Sequence, residues 1–444
     1  MIRYLIYFLF LFTGYSAKAQ NPVKNDSLLT DVALNDCIQY ALKHQPLIQQ
    51  SAVDEEIARS NIKIRLADWY PQINANYNLL HYFQLPTAFF PDANGEKHPA
   101  KTGVVNTSVI GLSLNQNIFN RDVLLASQSA GDVLQQARQH TVSNKIDVVV
   151  EVSKAYYDVL LTQRQVQVLD ENIIRLKRSL QDAYNQYQGG IVDKIDYKRA
   201  QISLNNTQAD RKRIAETIQG KMVYLKQLMG YPAENRLTII YDSLQMEKDV
   251  ATDTLQQVQL NNRIEYQLLQ TEKNLLQANL KYYRWGTLPT VSAIGSYNPT
   301  FMNDRLGDLY GNVYPSSYIG VQLSIPIFQG GKRLENIHNA ELQIKRNQLD
   351  LTAFTLQANT QYAQALGTYK GNLAELNSLR ENMILAQDVF NTLQLQYNAG
   401  VKTYLDVIIS ETDLREAQLN YLNALYSALA AKLDLQKALG VIQF

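Results

Sequence analysis

One phrase occurs twice in this chain, and any fold it adopts must accommodate both copies. YQGGIVDKIDYKRAQ spans residues 187–201, and YNAGVKTYLDVIISE begins at residue 397. Each carries a Tyr, a Gly three residues on, and an Asp six residues after that Gly: Tyr187, Gly190 and Asp196, then Tyr397, Gly400 and Asp406. The flanking stretches are long, free of proline, and rich in Ala, Leu, Gln, Lys and Glu, which favours helix. The phrases therefore read as turns between helices, with Gly189, Gly190 and Gly400 as the turn residues.

The duplication extends through most of the chain. TSVIGLSLNQNIFNRD (107–122) matches SSYIGVQLSIPIFQGG (316–331), and WYPQINANYNLL (69–80) resembles WGTLPTVSAIGSYNP (285–299). QLMGYP at 227–232 answers KALGVI at 437–442. A period this long marks a doubled unit. Each unit reads as helix, strand, loop, strand, long helix, break, helix. The first repeat spans 30–232, the second 253–441, and residues 233–252 link them at the mid-height of the structure they build. The helices are expected over 33–68, 121–188, 192–229, 254–285, 331–398 and 402–440. At 1.5 Å per residue the two longest reach roughly 100 Å, and two half-length helices stacked end to end match one of them.

The four strands alternate. Over 319–327, Ile319, Val321, Leu323, Ile325 and Ile327 share one face, and Gly320, Gln322, Ser324 and Pro326 the other. Over 110–117, Ile110, Leu112 and Leu114 oppose Gly111, Ser113, Asn115 and Asn117; over 72–79, Ile73, Ala75, Tyr77 and Leu79 oppose Gln72, Asn74, Asn76 and Asn78. Residues 290–297 form a weaker fourth strand. One apolar and one wet face fit a half-buried sheet on a soluble core. The wet faces here carry Asn, Gln, Ser and Gly rather than charge, which fits a water-filled lumen with lipid outside. The chain's two tryptophans, Trp69 and Trp285, each fall just before the first strand of a repeat. Phe119 and Phe328 fall at the end of the second. With Tyr70 these residues form one belt at a membrane boundary, or else pack a core. Four strands cannot close a barrel, and open edges cannot sit in lipid. Three chains would supply twelve strands, within the range of outer-membrane barrels.

Composition narrows the function. Among 444 residues the formal net charge is +1, which excludes the basic stripe of a nucleic-acid binder. Arg3, the apolar YLIYFLFLF and AKA at 17–19 read as a signal peptide over 1–19. No Cys lies near that site to carry a lipid, and the one cysteine, Cys37, reads as a small core residue. His44, His81, His98, His140 and His338 show no metal-ligand spacing, and no nucleophile elbow, zinc motif or phosphate loop occurs. No enzyme activity and no cofactor is expected. Phe83, Phe89 and Phe90, in the long loop 81–103, either narrow an outer mouth or cover a small core of the loop's own.

The tandem repeat, four strands, six helices and two turn phrases together resemble the TolC family of outer-membrane efflux channels. YNAGVKTYLDV is similar to that family's Tyr-x-x-Gly-x-Arg-Thr-x-x-Asp-Val tip motif, and GGIVDKIDY to its Gly-x-x-x-x-x-Asp partner. The resemblance implies an α+β membrane protein: a homotrimer with a shared twelve-stranded β-barrel in the lipid of a Gram-negative outer membrane, above a periplasmic tunnel of antiparallel coiled-coil helices. It implies docking to a periplasmic adaptor (membrane fusion) protein and an inner-membrane pump of RND, ABC or MFS type. It further implies a gate at the helix tips, with Asp196 linked to Tyr397 and Lys402 and with Asp406 in an acidic ring. Lys402 stands where the family has Arg, keeping the charge without the planar fork. Ile409 stands at the second ring position, one turn after Asp406. Small-molecule efflux is the expected task. Type I protein secretion and a secreted coiled-coil fibre without a pore are the alternatives.

Overall fold

The computed structural model describes residues 31–444 apart from 94, 192, 241 and 242, so the signal-peptide reading of 1–19 lies outside the described residues. Two helices set its length. Helix α3, Arg121–Gln188, has 68 residues, and α7, Lys332–Asn398, has 67. Asn120 starts α3 by accepting a hydrogen bond from the Asp122 N–H at 2.8 Å, the usual role of Asn at a helix N-cap. Each long helix carries two shorter partners. Helices α2, Pro46–Leu66, and α4, Lys194–Met229, pack along α3; α6, Ile264–Arg284, and α8, Tyr404–Leu439, pack along α7.

Two helix readings are corrected. The stretch 33–68 is not one helix: α1, Leu34–His44, stops before Gln45, whose backbone is extended (ψ 124°). The residue before a proline is disfavoured in the helical region, and Pro46 forces this break. The Gln45 side chain then caps α2 at the Leu47 and Ile48 N–H groups. In the second repeat the helix begins at Ile264, ten residues later than 254. There the Asp253 carboxylate accepts the Leu255 N–H at 2.9 Å, a local turn that competes with helix.

The strands β1 (Gln72–His81), β4 (Asn106–Phe119), β5 (Thr290–Asn303) and β6 (Val313–Ser324) form one antiparallel sheet in the order β1-β4-β5-β6. The last strand thus starts before Ile319 and ends before Ile325, where Pro326 offers no N–H to continue the ladder. The register aligns the alternating residues of all four strands. Ile73 faces Leu114, which faces Gly295, which faces Ile319; Ala75, Leu112 and Tyr297 form the neighbouring row. On the opposite face Asn74, Ser113, Ser296 and Tyr318 make one row, Asn117, Ser292 and Gln322 another, and between them lie Gln72, Asn115, Ile294 and Gly320. The apolar face is open: Ile73, Ile319 and Val321 are 73%, 85% and 70% exposed. Among the described residues no helix is long and apolar enough to cross a membrane.

Within loop 81–103 the short strands β2 (Thr87–Pro91) and β3 (Lys97–Lys101) pair as a hairpin. Phe83, Phe89 and Phe90 are 94%, 65% and 52% exposed, so they build no core of the loop's own. Near the hairpin turn, Asp92, Glu96 and His98 are exposed, and their side-chain oxygen and nitrogen atoms come within 4.8 Å of one another.

The core lies midway along the helices. Cys37 and Ala41 of α1 pack there with Val152, Tyr156, Val159 and Leu160 of α3, Leu225 and Met229 of α4, and Leu425 and Leu429 of α8. Burial pushes the Cys37 thiol up to about 12, so it is an inert core residue. The segment between the repeats joins this core. Val32 bridges to Ile239, the Tyr156 hydroxyl donates to Ile240 O at 3.0 Å, and helix α5, Ser243–Asp249, is followed by Val250, whose carbonyl accepts from Tyr369 at 2.9 Å.

Two glycines close the joints between short helices. Gly230 (φ +68°) ends α4 against α1, and a Cβ there would lie 2.6 Å from His44 O. Gly440 (φ +73°) ends α8 against the start of α6, where a Cβ would lie 2.8 Å from Asn262 O. Each short helix thus ends where the next begins, and each jointed pair runs beside one long helix. Arg263 locks the second joint. It is buried, donates to Ala438 O at 2.9 Å, and pairs with Glu265 through Nε at 3.1 Å and Nη2 at 3.0 Å. Burial alone would raise the Glu265 carboxyl; the Arg263 hydrogen bonds and charge bring it below its ordinary value.

Candidate functional site

Both turn phrases close in the same way. At the end of α3 the Gly190 N–H bonds Tyr187 O and the Ile191 N–H bonds Gln186 O. At the end of α7 the Gly400 N–H bonds Tyr397 O and the Val401 N–H bonds Gln396 O. This is the Schellman pattern, which needs a left-handed residue, and Gly190 (φ +70°) and Gly400 (φ +72°) supply it. Gly189 does not: its backbone is helical (φ −76°), and Ala399 holds the equivalent place. The next helices are capped by equivalent residues. Asp193 accepts the Ile195 N–H at 3.2 Å, and Thr403 accepts the Asp406 N–H at 3.4 Å. Asp406 answers by accepting from Thr403 N at 3.0 Å, completing a capping box.

The structure brings the four gate candidates to one end of the molecule. Asp196 and Asp406 occupy the first turns of α4 and α8, where a carboxylate is favoured by the helix dipole. The Thr403 hydroxyl and backbone hold Asp406 below the usual carboxylate range, with Lys402 adding to the effect. Tyr397 and Tyr404 are neighbours, their ring centroids 5.8 Å apart. Burial raises both phenols, and Asp196 contributes to each shift. Within the chain the Tyr397 hydroxyl donates to Gln186 Oε1 at 2.9 Å rather than to Asp196. Among the described residues no ion pair joins Asp196 to Lys402, whose side chain is exposed. Ile409 is 51% exposed on α8.

Sequence reasoning passed over two partners here. Gln186 lies one turn before Gly190, as Gln396 does before Gly400, and only the fold shows that it reaches Tyr397. Glu411 was legible: it falls on the same stripe as Tyr404, Val407 and Leu414, at a spacing that faces a neighbouring helix. It is a buried carboxylate on that stripe.

At the other end, where helices meet the sheet, the aromatic candidates gather. Trp69 ends a 3₁₀ turn before β1, Trp285 opens one before β5, and Phe119 ends β4. The Asn117 side chain donates to Asp68 O at 2.9 Å and fixes the first turn against β4. Tyr70 is 68% exposed, and Phe328, four residues beyond β6, is 89% exposed.

The family model for outer membrane efflux proteins matches residues 37–231 and 252–441, one match per repeat. This chain belongs to that family. It is accordingly an outer-membrane protein with a large periplasmic part. The outer membrane protein TolC of Vibrio cholerae is 20% identical over 420 residues, covering 92% of this chain and 91% of that protein. The proteases secretion protein PrtF of Dickeya chrysanthemi is 19% identical over 424 residues, covering 93% and 88%. The crystal structure of the outer membrane protein VceC of Vibrio cholerae superposes with a TM-score of 0.70 at 16% identity, over 92% of this chain and 96% of that one. Those proteins are described as outer-membrane and secretion proteins, not as enzymes.

Proposed function

We propose that three copies of this chain form an outer-membrane exit duct for small molecules, gated at the helix tips and fed by an inner-membrane pump through a periplasmic adaptor. The open sheet carries this reading. Strands β1 and β6 leave unpaired edges, and one face carries Ile73, Leu114, Ile319 and Val321 while the other is mostly polar, with Asn74, Ser113, Ser296, Asn117 and Gln322 beside Ile294 and Tyr318. Such a sheet is stable in lipid only when its edges are paired, and identical copies joining β6 to β1 would do so around a wet lumen. The Trp69, Tyr70, Phe119, Trp285 and Phe328 belt then sits at the periplasmic boundary of the membrane. Asp196 and Lys402, which form no ion pair with each other inside the chain, are available to a neighbouring copy, and Asp406 repeats around the axis as a single acidic ring. Ile409 leaves no second ring. The linker 233–252 lies at mid-height of the tunnel, consistent with its contacts to Tyr156 and Tyr369 near the centres of α3 and α7.

Protein secretion is kept as a second reading because PrtF, a protease secretion protein, is among the relatives. Purified protein in planar bilayers tests the duct. A trimer with stepwise conductance is expected, and a monomer that never conducts would refute the reading. Deletion of the gene, followed by assays of drug accumulation and of secreted protein, separates efflux from secretion.

A further inference from the structure

A ladder of polar contacts joins α3 to α8. Lys437–Asp147 and Lys154–Asp434, each at 2.7 Å, and Gln165–Asn423, also at 2.7 Å, are partly open to solvent. The rung nearest the tips differs. Glu411 is 2% exposed, and its Oε1 accepts from Asn172 Nδ2 at 3.0 Å and from Arg175 Nε at 3.3 Å. Two further helices reach its charged neighbours. Arg175 lies 5.8 Å from the centre of the Phe390 ring on α7, and Arg415 of α8 donates to Thr207 on α4 at 2.9 Å.

A buried carboxylate is costly unless fully paired. Here pairing is incomplete, because Asn172 Oδ1 and Arg175 Nη2 are buried without hydrogen-bond partners. Unsatisfied atoms of this kind are uncommon in packed cores and mark a junction that gains little by staying closed. The neighbouring rows, Tyr404, Val407 and Leu414, are buried. Glu411 is thus the rung whose carboxyl is fully buried in the seam that holds the returning helix of the second repeat to the long helix of the first.

We propose that Glu411, with Asn172 and Arg175, is a proton-responsive latch about two helical turns above the tips, holding α8 against α3 in the closed gate. This rests on the gated-duct reading and adds to it a site away from the tip turns. The charged groups acting on Glu411 are Arg175 from α3 and Arg415 from its own helix; α4 contributes Thr207 and α7 the Phe390 ring, neither of which titrates. The Tyr404 phenol, on its own helix, is itself raised by burial and stays protonated. Burial pushes the Glu411 carboxyl up to about 7, against the pull of Arg175 and Arg415. Released from α3, the carboxyl would be hydrated and would titrate near its ordinary value of 4.5. The packed state therefore binds the proton more tightly. Lowering the pH from above 7 towards 4.5 favours packing, and raising it through 7 places an ionised carboxylate in the seam. Across that window the packed-to-released equilibrium shifts by up to about three hundredfold.

Hydrogen exchange of residues 404–418 in the purified full chain, corrected for the intrinsic pH dependence of exchange, tests the latch. The natural protein is expected to be better protected at about pH 5.5 than at about pH 8, by tenfold or more. Glu411→Gln, always uncharged, removes that dependence, and Glu411→Leu does the same with an apolar side chain if the Gln variant folds poorly. Equal pH dependence in the natural protein and both variants, or protection that falls in acid, overturns the latch. Single-channel recording at the same pH values supplies the link to the duct. Absence of conductance in every form would sink the duct reading, and the exchange result would still decide the latch.

Discussion

Gly440→Ala and Gly400→Ala make a matched pair, because the backbone is nearly the same and the surroundings are not. Their φ values are +73° and +72°. A Cβ at Gly400 meets nothing within 4 Å, so the cost there is the left-handed backbone alone, about 1–2 kcal/mol. At Gly440 the Cβ would lie 2.8 Å from Asn262 O, 2.9 Å from Asn262 C and 3.2 Å from Arg263 N. Those are backbone atoms, and Arg263 pins them by holding Ala438 O from the other side. The joint cannot yield cheaply, and overpacking of this kind adds about 1–3 kcal/mol. Gly440→Ala should therefore destabilise by about 2–5 kcal/mol. Circular dichroism of the protein in detergent, followed through a denaturant series, reads both effects, and unfolding rates replace midpoints if unfolding is irreversible. If Gly440→Ala proves no more harmful than Gly400→Ala, the end-to-end joint between α8 and α6 is wrong.

Three other substitutions probe the remaining claims. Arg263→Ala leaves Ala438 O and the partly exposed Glu265 without their partner and should cost about 1–3 kcal/mol in the same unfolding assay, a loss under about 0.5 kcal/mol arguing against the clamp. Asp406→Ala should fray the first turn of α8, read as faster amide exchange at 403–407. Because the Asp406 carboxyl lies below its ordinary value in the folded protein, its contribution is present above that value and fades as the pH falls through the folded one, opposite in sign to Glu411. A turn that is equally protected in Asp406→Ala, which removes the acceptor for the Thr403 N–H, would exclude the capping-box role. Tyr397→Phe removes the bond to Gln186 and should raise closed-state leak about fivefold, as expected for roughly 1 kcal/mol; unchanged leak would remove Tyr397 from the gate.

The elements whose ends are written in local chemistry were the legible ones. Helices α3, α4, α7 and α8 end at Gly190, Gly230, Gly400 and Gly440 or just before them, and begin after Asn120, Asp193, Gly331 and Thr403, within two residues of where the sequence places them. The faces of β1 and β4 were equally clear, because period-two alternation needs no partner to be read. Pro46 was a local signal too, and the helix expected over 33–68 ran across it. The hairpin of β2 and β3 was hidden: Pro91 and Pro99 interrupt any alternation, and two short strands with no sheet beside them leave no period to find. At the tips the duplication showed where the two helix turns fall, but not that Tyr397 turns to Gln186. That choice depends on how α3 and α7 lie side by side, which neither helix encodes alone.

The joints at Gly230 and Gly440 have a mechanical consequence. Every column of the helical wall that begins at the tips as α4 or α8 ends halfway, and a different segment carries on to the sheet. Only α3 and α7 are covalently continuous from the tips to the strands. A torque applied at the tips therefore travels to the membrane along two struts per chain, while the jointed columns transmit it through non-covalent contacts such as Gly440 against Asn262 and the Arg263 side chain on Ala438 O. In the proposed duct the half of the wall nearest the tips would rewind about these two struts, with the β-sheet as a fixed collar.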